Sequence, residues 1–135
     1  MRQRWGNDCG PAALATVAAH YGRRFERDVW DEVALDRQGA DLLTLSLGAE
    51  RLGFRTRGVK ASYDGIGSCP LPAIAHVRRR FGVGHFVVVH AWTTKHVVIA
   101  DPAAGLRRVS RRVFCRRSTG YVLTVVPADA EVVDA

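Results

Sequence analysis

The stretch Gln3-Arg4-Trp5-Gly6-Asn7-Asp8-Cys9-Gly10-Pro11 sets a thiol directly before an apolar helical pattern. The start of a helix is where backbone N–H groups lack partners and the macrodipole favours an anion. A thiolate is such an anion. Its pKa, about 8.5 in isolation, falls to roughly 3.5–7.5 at a helix N-terminus or beside an imidazolium. Position alone leaves two uses of Cys9 open: an activated nucleophile, or a buried small residue with no chemical task. The other cysteines, Cys69 and Cys115, are far away, the count is odd, and no Cys-x-x-Cys pair exists. A disulfide framework and a structural zinc site are therefore not expected.

A nucleophilic cysteine needs a base, and the base needs an orienting group. The histidines are His20, His76, His85, His90 and His96. Two strand-like runs, 85–92 and 96–101, are joined by Thr93, Thr94 and Lys95. Folding the chain there brings the start of the first run beside the end of the second, so His85 is expected near Asp101. His90 and His96 then sit together at the turn, away from that carboxylate. His20 does not join its helix's buried stripe, and His76 has no evident acidic neighbour. Gly82 and Gly84 permit close backbone approach before His85, and Pro102 fixes the exit after Asp101. The pair is either the orienting half of a Cys-His-Asp triad or two unrelated strand-end polar residues. Gln3, six residues before Cys9, is either a side-chain amide donor to an oxyanion beside the Cys9 backbone N–H, as acyl transfer requires, or a terminal polar residue with no chemical task.

These residues need a scaffold. Leu14, Val17, Ala18 and Tyr21 fall at i, i+3, i+4, i+7, the buried stripe of a helix over 10–22. Pro11 suits its first turn and Gly22 its end. Asp28 is positioned to cap a second helix carrying Val29 and Val33, and Asp41 a third. The third carries Leu42, Leu45, Ala49 and Leu52 inward and stops at Gly53. From Phe54 the texture becomes strand-like: 54–61, 71–77, 85–92, 96–101 and 121–126, with turn chemistry in Ser62-Tyr63-Asp64-Gly65-Ile66-Gly67-Ser68. Helices followed by an antiparallel sheet make an α+β fold. One domain over 1–126 is expected, with 127–135 a tail or truncated linker.

Twenty Lys and Arg against 13 Asp and Glu leave a net charge of +7. The arginines gather at 78–80 and at 107–117. Such patches suit an anionic partner or a solvated face. Aromatic residues spaced for base stacking are missing from these segments, where Phe81 and Phe114 stand nearly alone, so nucleic acid is not the expected partner. No apolar run is long enough to span a bilayer, and no secretory h-region precedes the helix. A cytoplasmic chain is expected.

The pattern Gln3-Arg4-Trp5-Gly6-Asn7-Asp8-Cys9-Gly10 through Tyr21-Gly22 resembles the bacteriocin-processing cysteine peptidases. The likeness continues through 47–54, 71–77, 84–89 and 99–105. Many members carry a second cysteine four residues after the first; here that position is Ala13. The resemblance implies a papain-like fold with N-terminal helices packed on an antiparallel sheet. It implies Cys9 as nucleophile, His85 as general base and acid, Asp101 as the residue orienting His85, and Gln3 as oxyanion donor. No cofactor or metal is implied. The implied substrate is a precursor peptide with a double-glycine-type leader, cut after Gly-Gly or Gly-Ala as it is exported. The implied partner is an ABC exporter, fused or separate, with the membrane reached only through it. Relatives lacking the cysteine hold such cargo without cutting it, and that is the alternative function.

Overall fold

The computed structural model describes residues 9–22, 42–78, 84–101 and 105–128, with the backbone alone for 9–11 and 42–44. The expected helix after Asp28, the Asp41 cap and residues 129–135 lie outside the described residues, as do Gln3 and Asp8.

Helix α1 (Cys9–His20) is rich in alanine. Ala12, Ala13, Ala15 and Ala18 are buried with Leu14 and Val17, so the helix lies close against its neighbours. Its end closes as expected: Gly22 takes φ +74°, and its N–H donates to Ala19 O at 3.0 Å. Helix α2 (Leu42–Arg51) ends in the same way. Gly53 takes φ +88° and donates to Glu50 O at 3.0 Å. Glycine occupies this left-handed region without the steric cost of a Cβ.

The strands are β1 (Phe54–Lys60), β2 (Ala73–Arg78), β3 (Gly84–Trp92), β4 (His96–Asp101), β5 (Gly105–Ser110) and β6 (Ser118–Pro127). They form one six-stranded sheet in the order β1-β6-β2-β3-β4-β5, with every pairing antiparallel. This is the expected α+β arrangement of helices on an antiparallel sheet. Two short helices, α3 (Tyr63–Ile66) and α4 (Arg111–Arg117), complete the described elements.

The α3 segment reads as turn chemistry in sequence, and the α4 segment and β5 read only as an arginine-rich patch. Capping serines explain both helices. The Ser62 side chain accepts from Gly65 N at 3.2 Å, and that of Ser110 from Val113 N at 3.3 Å, each satisfying a donor the first turn leaves open. β5 is an edge strand exposed over its first four residues, so it lacks the in–out alternation that marks a strand in sequence.

The sheet buries both faces. Phe54, Ile74, Phe86, Val88, Leu123 and Val125 pack against α1 and α2. Ala73, Ala75, Val77, Val87, Val89, Val97 and Ile99 pack on the opposite face with Tyr63, Ile66 and Phe114 from the short helices.

Candidate active site

The β3–β4 hairpin forms where the sequence expects it. Thr93 closes the turn, its N–H donating to His96 O at 2.8 Å and its Oγ1 accepting from His96 N at 3.0 Å. Tyr63 OH donates to Thr93 O at 2.7 Å. Trp92 Nε1 donates to Tyr63 O at 2.9 Å, so α3 braces the turn. The hairpin register runs from Trp92↔Val97 to Val88↔Ala100, with a bulge at His90. That pairing carries Asp101 back along β3 toward His85, and the two side chains meet: His85 Nε2 lies 2.8 Å from Asp101 Oδ1.

Both residues are buried, His85 at 3% and Asp101 at 8% exposure. Burying a carboxylate costs several kcal/mol unless it is paired and hydrogen-bonded. The imidazole supplies such a partner, and the ring orientation is fixed in return. With an ionised Asp101 as acceptor, Nε2 carries the proton, and Nδ1 is the nitrogen that would exchange one with a nucleophile.

The other histidines have different neighbours. His90 is half-buried at the bulge, and its ring centroid is 6.3 Å from that of exposed His20. His96 pairs with Ser110 on β5. His76 is held by Thr119, with Nδ1 and Oγ1 3.0 Å apart, and its ring lies 5.0 Å from that of Phe86. No acidic residue is in contact with it among the described residues.

The His20–His90 approach places the C-terminal end of α1 near His90 of β3. The side chain of Cys9, and all of Gln3, lie outside the described residues.

His85 pairs with Val77 across β2–β3 and so shares the sheet face that packs against α4. There, beside His85 and Asp101, is a cavity of about 320 Å³. Val87, Ile99, Val109 and Phe114 form its apolar floor. No group of three or more metal-ligating side chains occurs among the described residues, and no described helix is long and apolar enough to cross a membrane.

Burial pushes the pKa of His76 below the ordinary 6.5, assisted by the nearby charges of Arg78 and His85. Burial and His20 likewise lower that of His90. Both rings resist protonation in the fold and accept a proton readily once unfolded. Below pH 6.5 the unfolded chain thus binds more protons than the native one, and stability falls with pH. Thermal melts at pH 7.5 and 5.5 are expected to show a lower Tm at the acid value. A His76→Gln, His90→Gln double variant should lose much of that slope. An unchanged slope in the double variant would place the acid sensitivity elsewhere.

Helices laid on an antiparallel sheet that carries a buried His–Asp pair at its strand ends are compatible with a papain-like cysteine peptidase fold. The model of the Peptidase C39 family matches residues 1–130, and the chain belongs to that family of cysteine peptidases. The peptidase domain of Streptococcus ComA, a bifunctional ABC transporter of a quorum-sensing pathway, superposes with a TM-score of 0.85 at 31% identity, covering 94% of this chain and 96% of that one. A double-glycine-motif protease from an AMS/PCAT transporter, solved with its leader peptide, gives a TM-score of 0.84 at 27% identity over 94% of this chain and 89% of that one. The probable microcin-H47 secretion/processing ATP-binding protein of Escherichia coli is 32% identical over 89% of this chain, which spans only 17% of that relative. An uncharacterized protein of Methanothermobacter marburgensis is 35% identical over 93% of this chain and 86% of its own length.

Proposed function

We propose that this chain is a cysteine endopeptidase that removes the leader from a ribosomally made peptide, cutting after a Gly-Gly or Gly-Ala type motif, in concert with an ABC exporter. The observation that carries this reading is the buried 2.8 Å contact of His85 with Asp101, at the start of β3 and the end of β4. Family membership and the leader-bound relative support it.

In this reading His85 Nδ1 takes the Cys9 proton, and the thiolate attacks the carbonyl after the small residue. The oxyanion is held by the Gln3 side-chain amide and the Cys9 backbone N–H. The C–N bond then breaks as His85 returns its proton to the leaving amine, and the leader remains as a thioester on Cys9. Water, deprotonated by His85, adds to the thioester, releasing the leader as a carboxylic acid and restoring the thiol. Asp101 keeps Nε2 protonated and stabilises the imidazolium that forms in each half-reaction. Every proton moves between Cys9, His85, water and substrate, so neither metal nor organic cofactor is called for.

Mass spectrometry on a panel of precursor peptides with double-glycine-type leaders tests the proposal. Cleavage directly after Gly-Gly or Gly-Ala is expected. Binding of leaders with no turnover would instead favour a module that holds cargo for an exporter.

Gln3→Ala is expected to lower kcat on the order of a hundredfold with little change in KM, because an oxyanion donor acts mainly in the transition state. Steady-state kinetics decide this. A loss confined to KM would make Gln3 a substrate-binding residue.

A further inference from the structure

Two kinds of arginine occur on this fold. Arg111 is structurally engaged: its guanidinium reaches Asp64 at 3.2 and 3.3 Å and lies 4.8 Å from the Tyr63 ring centroid. Arg78, Arg107, Arg108 and Arg117 have no carboxylate partner among the described residues. They come from three elements, β2, β5 and α4, and all four line the cavity beside His85 and Asp101.

Local structure shows how two of them reach it. Arg107 pairs with Ile99 and Gly105 with Asp101, so Arg107 shares the face of the cavity floor. Glycine leaves no side chain between it and the Asp101 position. Arg117 follows buried Phe114 by three residues on α4, a spacing that puts both on one side of the helix. Several like charges around an apolar floor repel one another, and among the described residues the one carboxylate in the lining, Asp101, is bonded to His85. A solvated face needs no such convergence on one cavity. An anionic group entering it gains charge-assisted hydrogen bonds where part of its surroundings is already dry.

We propose that this cavity is a subsite for an acidic side chain of the peptide substrate, gripped by Arg107 and Arg117 within a few residues of the scissile bond. This rests on the peptidase reading above and adds a determinant of which leader or cargo is accepted. The apolar floor suits the methylenes of glutamate, and the planar guanidinium forks suit its carboxylate.

The test scans Glu against Gln at each position near the cleavage motif of the peptide cut best in the panel. At one position Glu is expected to raise kcat/KM about tenfold, through KM, as a charge-assisted contact at the mouth of a cavity would. Arg107→Gln with Arg117→Gln should bring the Glu/Gln ratio close to one. Arg107→Glu with Arg117→Glu should invert it, so that Lys is preferred at the same position. Lys95→Gln, the same loss of charge at the far end of the hairpin, should leave the ratio intact. No preferred Glu position, or a preference that survives the double Gln variant, overturns the proposal.

The same peptides are titrated onto Cys9→Ala protein by fluorescence anisotropy. A Glu preference in binding without cleavage of any peptide by the parent would keep the subsite and remove the catalytic reading. Cleavage without a preference would remove the subsite alone. A single-stranded DNA oligonucleotide that binds more tightly than the Glu peptide, and loses that affinity in the double Gln variant, would assign the arginines to nucleic acid and overturn the proposal.

Discussion

Cys9→Ala is expected to eliminate cleavage of every leader while leaving the fold intact. The substitution removes one sulfur at the first residue of α1, where Ala is the best helix former, so little stability should be lost. The chemistry loses its only attacking atom. In peptidases whose nucleophile and base act as a unit, removing the nucleophile costs on the order of 10⁶ in kcat. Circular dichroism and a melting curve matching the parent, beside a mass spectrum with no product after long incubation, are the expected pair of results. Residual cleavage at a few per cent of the parental rate would mean that another group attacks.

His85→Gln should be nearly as severe, and Asp101→Asn less so. Members of a catalytic unit are non-additive, so a Cys9→Ala, His85→Gln double variant should be no slower than either single variant. Gln is preferred to Ala at His85 because it keeps a polar side chain beside the buried Asp101 carboxylate, so that inactivity is not confused with unfolding. Asp101→Asn leaves the base present but no longer favours the proton on Nε2, and a loss on the order of 10⁴ in kcat is expected. His90→Ala and His96→Ala, at the opposite end of the hairpin, should be mild. An essential His90 or His96 with a dispensable His85 would contradict the site.

The His85–Asp101 contact was legible because the signals are local. A two-strand hairpin with a three-residue turn sets its own register, so pairing His85 with Asp101 needed only the positions of the turn and the strand ends. The stripe Leu14, Val17, Ala18, Tyr21 and the closing Gly22 likewise lie within one helix. What was not legible depends on contacts distant in sequence. The β1–β6 pairing joins Phe54 to Pro127, and nothing within either strand names the other. β5 escaped because solvent on an edge strand erases alternation, and α4 because only Phe114 of its seven residues is buried. The 107–117 arginines were visible as charge, but their convergence on the cavity beside His85 depends on the β4–β5 register and the turn into α4. The bulge at His90 carries no mark in sequence; it lets the hairpin absorb one extra residue on β3 while Thr93 still closes the turn.

The central claim is that Cys9 is a thiol activated by His85. The rate of iodoacetamide labelling at each cysteine, followed by mass spectrometry from pH 5 to 9 in the parent and in His85→Gln, tests it most directly. Cys69 is half-buried and its pKa is raised by burial, with Arg57 opposing only in part; Cys115 is exposed. Cys69 should label at a rate that rises toward alkaline pH, and neither cysteine should respond to His85→Gln. Cys9 should label fastest near pH 6 to 7, as a thiolate paired with an imidazolium would, and should lose that acid-shifted reactivity in His85→Gln. Labelling of Cys9 no faster than Cys115 near neutral pH, with the same pH profile in both proteins, would contradict it.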